Sequence, residues 1–232
     1  MVKCVYFALV DPPVLIKDII DTTLFPLKAN DTVDFAMETF LSSGISGLPV
    51  VSNLQIIGFV EAKSLLDQKP SKAISSTIQQ NPLWEINENN HYYEAVRGFG
   101  EFGVPCLAAF NYDNHYTGIV SGKSLCKFLG NSYTQQAEGS VLCLEMVSRD
   151  YSLTELSRII ENNDAKILGV TLFSIPDSSR VLVNIKINSS YIERIVGTLQ
   201  RFGYDVKASF FNKSSESDFE NRYHSLIKYL EF

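Results

Sequence analysis

Ile45-Ser46-Gly47-Leu48-Pro49-Val50-Val51, followed after a short polar loop by Ile56-Ile57-Gly58-Phe59-Val60, decides the fold. The chain writes the same pattern again as Gly103-Val104-Pro105-Cys106-Leu107-Ala108 and Tyr116-Thr117-Gly118-Ile119-Val120-Ser121. In each copy a helix-like run leads into a hydrophobic-Pro-hydrophobic strand, a polar loop, a second apolar strand with a glycine, and another helical run. Such self-similarity is the signature of a repeated supersecondary unit.

Aligning the copies on Pro49 and Pro105 sets their other parts. Val33, Ala36, Met37, Phe40 and Leu41 follow the three-four spacing of an amphipathic helix behind the N-cap cluster Asn30-Asp31-Thr32, with Ser43-Gly44 as its end. The counterpart around Tyr93–Phe99 reaches its proline three residues sooner, which predicts a helix shorter by about one turn of ~3.6 residues. Leu83–Asn90 takes the place of Phe25–Asp31, which sets Trp84 where the first copy has Pro26. Leu15–Ile20 and Ala62–Asp67 read as short helical runs. Gly98-Phe99-Gly100-Glu101-Phe102-Gly103 spells G-x-G-x-x-G, but that fingerprint binds dinucleotides only where the glycines turn a strand into a helix. Here they follow a helix and precede a strand, so they read as a loosened helix end.

After Gly130 the composition changes. Val141–Val147, Lys166–Phe173, Val181–Ile187 and Tyr204–Ala208 read as strands, with Ser152-Leu153-Thr154-Glu155 as a capping box opening a helix that turns Leu153, Leu156, Ile159 and Ile160 inward. A second helix carries Ile192, Ile195, Val196 and Leu199. Strand-helix-strand-strand-helix-strand is the ferredoxin-like order. Leu142, Leu144 and Val170 suggest an apolar second sheet face that a partner covers. Phe219, Tyr223, Leu226, Ile227 and Leu230 predict a terminal amphipathic helix. The fold class is α/β (α+β), divided into an extension (1–14), a first repeat (15–76), a second repeat (77–130), a linker (131–139), a ferredoxin-like unit (140–210), and a tail with its helix (211–232).

With 232 residues, 45% hydrophobic and 20% charged, the chain can bury a sizeable core. Its net charge of -6 argues against nucleic acid or an anionic membrane as a partner. Cys4, Cys106, Cys126 and Cys143 are scattered without zinc-ligand or disulfide spacing, which fits reduced thiols in a cytoplasmic protein and no metal. His91, His115 and His224 lie in different units, and no nucleophile-base spacing suggests an enzyme.

The two repeats resemble tandem CBS domains, the paired nucleotide-sensing repeats of the Bateman module, and the ferredoxin-like unit resembles an ACT domain. The order is similar to that of the acetoin-utilisation AcuB-type regulators, and Arg222-Tyr223-His224-Ser225-Leu226-Ile227-Lys228-Tyr229-Leu230 resembles the ending of a group of Bacteroidetes CBS-domain proteins. This resemblance implies a cleft for an adenosyl ligand, with backbone beside the hydrophobic-Pro-hydrophobic strand meeting the base and a Gly-h-h-Ser/Thr-x-x-Asp motif meeting ribose and phosphate. The candidate residues are Ser46, Leu48, Pro49, Val50 and Ser64 from the first copy, and Val104, Pro105, Ser121, Lys123 and Ser124 from the second. Ser64 and Ser124 stand where the family carries aspartate, and Glu61 where it carries a hydroxyl, so adenine nucleotides are expected to bind weakly or not at all. The ACT resemblance adds the turn Arg149-Asp150-Tyr151 as a second candidate site. The expectation is a non-catalytic regulatory protein that senses a small metabolite, an adenosyl compound or an amino acid, and signals to a protein target through a homodimer. No cofactor is implied beyond an adenine nucleotide as ligand. The competing expectation is an interaction scaffold of the same fold with a decayed nucleotide site.

Overall fold

The structure, a computed structural model, describes residues 14–211. The extension before them and the expected terminal helix from Phe219 to Leu230 lie outside the described residues. The fold is mixed α/β, and the chain separates into two compact units that meet in sequence at Gly130 and Asn131.

In the first unit, helix α1 (Val33–Ser43) leads to strands β1 (Gly47–Ser52) and β2 (Gln55–Glu61). Strand β3 (Glu85–Asn87), helix α2 (Tyr92–Phe102), strands β4 (Cys106–Phe110) and β5 (Tyr116–Ser121) and helix α3 (Gly122–Gly130) repeat the theme. Both strand pairs are antiparallel, and their registers correspond. Gly47 faces Glu61 as Cys106 faces Ser121, Val50 faces Gly58 as Ala109 faces Gly118, and a bulge follows both Val50 and Ala109. Leu27 bridges Val50 in parallel as Ile86 pairs with Ala109.

These registers correct the proline alignment. Fourteen residues separate Ala36 from Val50 and Ala95 from Ala109 alike, so no turn is lost. Both helices have 11 residues, and each ends on a left-handed glycine, Gly44 or Gly103. The counterpart of Pro49 is Ala108, while Pro105 precedes β4 at the position of Ser46. Proline is accommodated within β1 because Phe59, opposite it, exchanges its N–H and C=O with Gln79 and asks Pro49 for no donor. By the same register Trp84 answers Phe25, not Pro26. Gly98 and Gly100 lie inside α2 rather than at a loosened end; a Cβ on Gly98 would stand 3.3 Å from Leu107, so the glycine lets the helix lie close on β4. Leu41, expected on the inward face of α1, is 80% exposed.

The leader of each repeat is exchanged with the other. Residues 15–21 open the first repeat in sequence, yet Ile16 and Lys17 donate to the Asn90 and Glu88 carbonyls and Asp21 donates to Ile119 on β5. Residues 73–79 lie against the first repeat, with Ile74 donating to Asp31 and Gln79 paired to Phe59. The glycines of the second strands exist for this exchange. A Cβ on Gly118 would stand 2.5 Å from Ile20 Cγ2, and one on Gly58 would stand 2.5 Å from Ile78 Cγ2 and 2.7 Å from the Gln79 carbonyl. Each glycine is a notch that receives an isoleucine. The two cores interlock accordingly: Ile16, Ile19 and Phe59 pack with the second repeat's residues, and Cys106 and Ile119 with the first's.

In the second unit, the single-turn helix α4 (Tyr133–Gln136) precedes β6 (Ser140–Val147), α5 (Leu153–Glu161), β7 (Ile167–Ser174), β8 (Arg180–Ile187), α6 (Ile192–Arg201) and β9 (Asp205–Phe211). The all-antiparallel sheet has the order β7-β8-β6-β9, which is ferredoxin-like. Its core joins Leu142, Leu144, Val183 and Ile185 to Leu156, Ile160, Ile195 and Leu199 of the helices. Leu142, Leu144 and Val170 therefore belong to this helix-covered side, which corrects their assignment to a second apolar face. Strand alternation puts Cys143, Glu145, Leu182 and Asn184 on the other face, where Glu145 binds Arg180 and Lys207 and Lys207 binds Asp205 at 2.8 Å. Leu153, expected inward, is 46% exposed in the first turn of α5.

Filling the notches measures the exchange. Gly118→Ala should destabilise the protein by about 1–3 kcal/mol, because the stiff β-branched Ile20 must move. Gly58→Ala should cost more, since its φ of 139° disfavours any side chain and a backbone carbonyl cannot yield like a side-chain tip. Urea unfolding of both variants gives the order, and an unchanged midpoint for Gly58→Ala would refute the notch.

Candidate functional site

The first unit contains a cavity of about 760 Å³, within the size range of small-molecule sites. Its wall has three parts. The chain from Asp21 through Thr23 to Leu27 forms one side. The face and C-terminal end of α1, from Phe35 and Thr39 to Ser42, Ser43 and Gly44, continue to Ile45 and Leu48. Pro105 and the turn Ser121-Gly122-Lys123 at the start of α3 complete it. Phe25 and Phe35 are 71% and 52% exposed, which is unusual for aromatic side chains facing a concave surface and gives the cavity two apolar rings.

Asp21 is the polar hub. Its Oδ2 accepts the Ser121 hydroxyl at 2.6 Å, and its Oδ1 accepts the Thr23 hydroxyl at 2.6 Å and the Thr23 N–H at 3.0 Å, an Asx turn. Partial burial pushes the Asp21 carboxyl up, but the hydrogen bonds from Ser121 and Thr23, with the Lys123 ammonium nearby, outweigh it and hold the group below its ordinary value. Nothing in the sequence marks Asp21 for this place. It arrives because the leader is exchanged onto β5, one hundred residues downstream.

Of the residues expected at the site, Leu48, Pro105, Ser121 and Lys123 line the cavity. The others lie elsewhere. Pro49 and Val50 are buried within β1, and Val104 is buried in the second repeat's core. Ser46 is exposed, with its carbonyl taking the Ala62 N–H. Ser64 donates to the Glu61 carbonyl at 2.7 Å, and Ser124 donates to the Ser121 carbonyl while accepting the Ser121 N–H. Ser121 in turn accepts the Ser124 N–H at 3.0 Å. The two serines thus cap the start of α3 reciprocally, and Ser124 is committed to that cap.

The corresponding position in the other repeat is filled. Trp84, counterpart of the exposed Phe25, is 6% exposed and packs edge-on against Phe59 with ring centroids 5.1 Å apart. Its ring lies where a Cβ on Gly47 would meet it at 2.8 Å. Glu61 and Lys63, counterparts of Ser121 and Lys123, form an ion pair at 2.6 Å.

At the turn of the second unit, Arg149 and Asp150 are exposed and pair with each other at 3.5 Å, while Tyr151 packs against the core. Among the described residues no cluster of histidine, cysteine or acidic side chains could hold a metal, and no helix is long and apolar enough to cross a membrane. Burial pushes the Cys106 thiol up to about 12, so it is a poor nucleophile, and its Sγ donates to the Gly47 carbonyl.

Because Asp21 is held below its ordinary carboxyl value, its contribution to stability is present above pH 3.8 and is lost as pH falls through the lower folded value. Asp21→Asn should therefore be less stable than the parent at neutral pH, and the gap should close on acidification below pH 3.8. Paired thermal melts across that range test this, and a gap independent of pH would refute it.

The CBS-domain family profile matches residues 16–70. No curated protein matches the chain. Among solved structures, a CBS domain pair/ACT domain protein from Thermotoga maritima is 16% identical, with the match covering 50% of this chain and 95% of that one at a TM-score of 0.45. A CBS domain-containing protein from Bacillus anthracis is 16% identical, covering 51% and 94% at 0.42. CBSX2, solved in complex with AMP, is 19% identical, covering 49% and 94% at 0.43. A CBS domain is present in this chain, over the residues that form the first repeat and the exchanged leader.

Proposed function

We propose that the protein is a non-catalytic sensor that takes an adenosyl-type small molecule into the cavity between Phe25, Phe35 and the Asp21-Ser121 pair. The observation that carries this reading is the cavity itself: an open apolar pair of rings suited to a flat heterocycle, beside a carboxylate suited to sugar hydroxyls. The presence of a CBS domain supports it, because the resemblance implies such a ligand there. Sensing requires a ligand to favour one of two states, and the cavity draws its wall from both repeats, so occupancy would tighten one repeat on the other.

The second unit acts in this reading as an ACT-type interaction domain rather than a second ligand site, since Arg149 and Asp150 neutralise each other in solvent. A homodimer through its open sheet face is part of the proposal. Phe173 and Phe210 are exposed there, 53% and 60%, around the Glu145 ion pairs. The filled position at Trp84 favours the scaffold reading for half of the pair. One ligand per chain, not two, is the consequence.

A thermal-shift screen of the whole chain with adenosine, AMP, ATP, S-adenosylmethionine and the amino acids tests the reading. A true ligand at 100 times its dissociation constant adds about 2.7 kcal/mol. Phe25→Ala should weaken that ligand by roughly tenfold or more, given ~1–3 kcal/mol for stacking a base on an aromatic ring. No shift with any adenosyl compound would overturn the proposal. Light scattering that returned 26.0 kDa, the mass of one chain, at all micromolar concentrations would remove the dimer.

A further inference from the structure

Five hydroxyls line the cavity, and each has already placed its proton on the protein. Thr23 and Ser121 donate to the Asp21 carboxylate, both at 2.6 Å. Thr39 donates to the Phe35 carbonyl at 2.8 Å, Ser42 to the Thr39 carbonyl at 3.1 Å and Ser43 to the Phe40 carbonyl at 3.3 Å. A hydroxyl has one proton to give and two lone pairs to offer. Towards a ligand, these side chains are therefore acceptors.

The backbone and the charges point the same way. Ser42, Ser43 and Gly44 bring the C-terminal, partially negative end of α1 to the wall. The start of α3, where an anion would otherwise be favoured, has the Asp21 carboxylate hydrogen-bonded to its capping residue Ser121. The protein's own anion thus stands where a phosphate would be attracted. Lys123 is the cation among the lining side chains, and its charge already acts on Asp21.

We propose that the polar end of this cavity selects hydrogen-bond donors, hydroxyl or ammonium, and excludes phosphate, with Asp21 as the residue that sets the selection. The ligand class is then an uncharged or cationic nucleoside derivative rather than a nucleotide. This rests on the adenosyl reading above and sharpens it. It also changes why nucleotides are expected to bind weakly. The loss of aspartate at Ser64 and Ser124 removes an acid from the motif, but Asp21 supplies one from another part of the chain, so ribose recognition survives while phosphate meets a like charge.

Calorimetry of the whole chain with adenosine, 5′-amino-5′-deoxyadenosine and AMP separates these statements, because the three differ only at the 5′ group. The expected order is amine tightest and AMP weakest, with AMP at least roughly tenfold below adenosine, a modest effect for one like charge at close range. Asp21→Asn keeps the size of the side chain and should bring the three compounds to within a fewfold of one another. Should that variant fail to fold, Asp21→Glu retains the carboxylate and should keep the parent's order. AMP binding as tightly as adenosine to the parent would overturn the selection while leaving an adenosyl site in place, as would loss of the amine preference in Asp21→Glu. Failure of all three compounds to bind would overturn the adenosyl reading and this inference with it.

Discussion

The first unit depends on two isoleucines seated in two glycine notches. Ile20 fills the space a side chain at Gly118 would take, and Ile78 fills that at Gly58. Close packing of this kind has few alternatives, because a methyl group in either notch would overlap an atom already there. The contact ties each repeat's leader to the other repeat's second strand. Without it, residues 15–21 would have no edge to pair with, and Asp21 would not reach Ser121. The candidate site is thus a by-product of how the repeats are held together.

The two repeats differ in size and charge at counterpart positions around the cavity. Phe25 stays out and lines an open cavity, whereas Trp84 turns in and closes the matching space against Phe59 and Gly47. At the helix start, the first repeat places Glu61 with Lys63 as a self-contained ion pair, and the second places Ser121 with a carboxylate borrowed from the leader. An exposed ion pair of that sort contributes little to stability. Its effect here is chemical: position 61 carries a paired carboxylate where the second repeat carries the Ser121 hydroxyl.

The sequence made the repeat, the ferredoxin-like order and most core positions legible, because three-four and alternating apolar spacing report burial directly. Alignment on the prolines misled, since Pro49 and Pro105 look alike but sit three positions apart in the strand register. The left-handed glycines Gly44 and Gly103 were the better anchors, because few other residues hold that backbone. A separate slip of one position, in matching Leu83–Asn90 to Phe25–Asp31, hid the relation of Trp84 to Phe25. Leu48, Pro105, Ser121 and Lys123 were legible as wall residues from the motif. Asp21 was not, because its place arises from the exchange of leaders, and a contact across one hundred residues leaves no local period; Phe25 and Phe35 were not, because apolar spacing reports burial and these two rings stay exposed.

Cys106 and Gly47 show how one asymmetry entails the other. They are counterparts in register, and the Cys106 thiol donates to the Gly47 carbonyl at 3.3 Å in the buried junction between the repeats. Restoring symmetry by a side chain at Gly47 would drive a Cβ to 2.8 Å from the Trp84 ring and 3.0 Å from Pro105. Trp84 can enter only because Gly47 is bare, and a displaced Trp84 would reopen the cleft that it fills. Pro105 borders both spaces, since its Cγ, like the Trp84 ring, crowds the place a Cβ on Gly47 would take, and it lines the open cavity. Closure of one cleft therefore helps to fix the wall of the other. In this chain the filled position is a structural support for the open one.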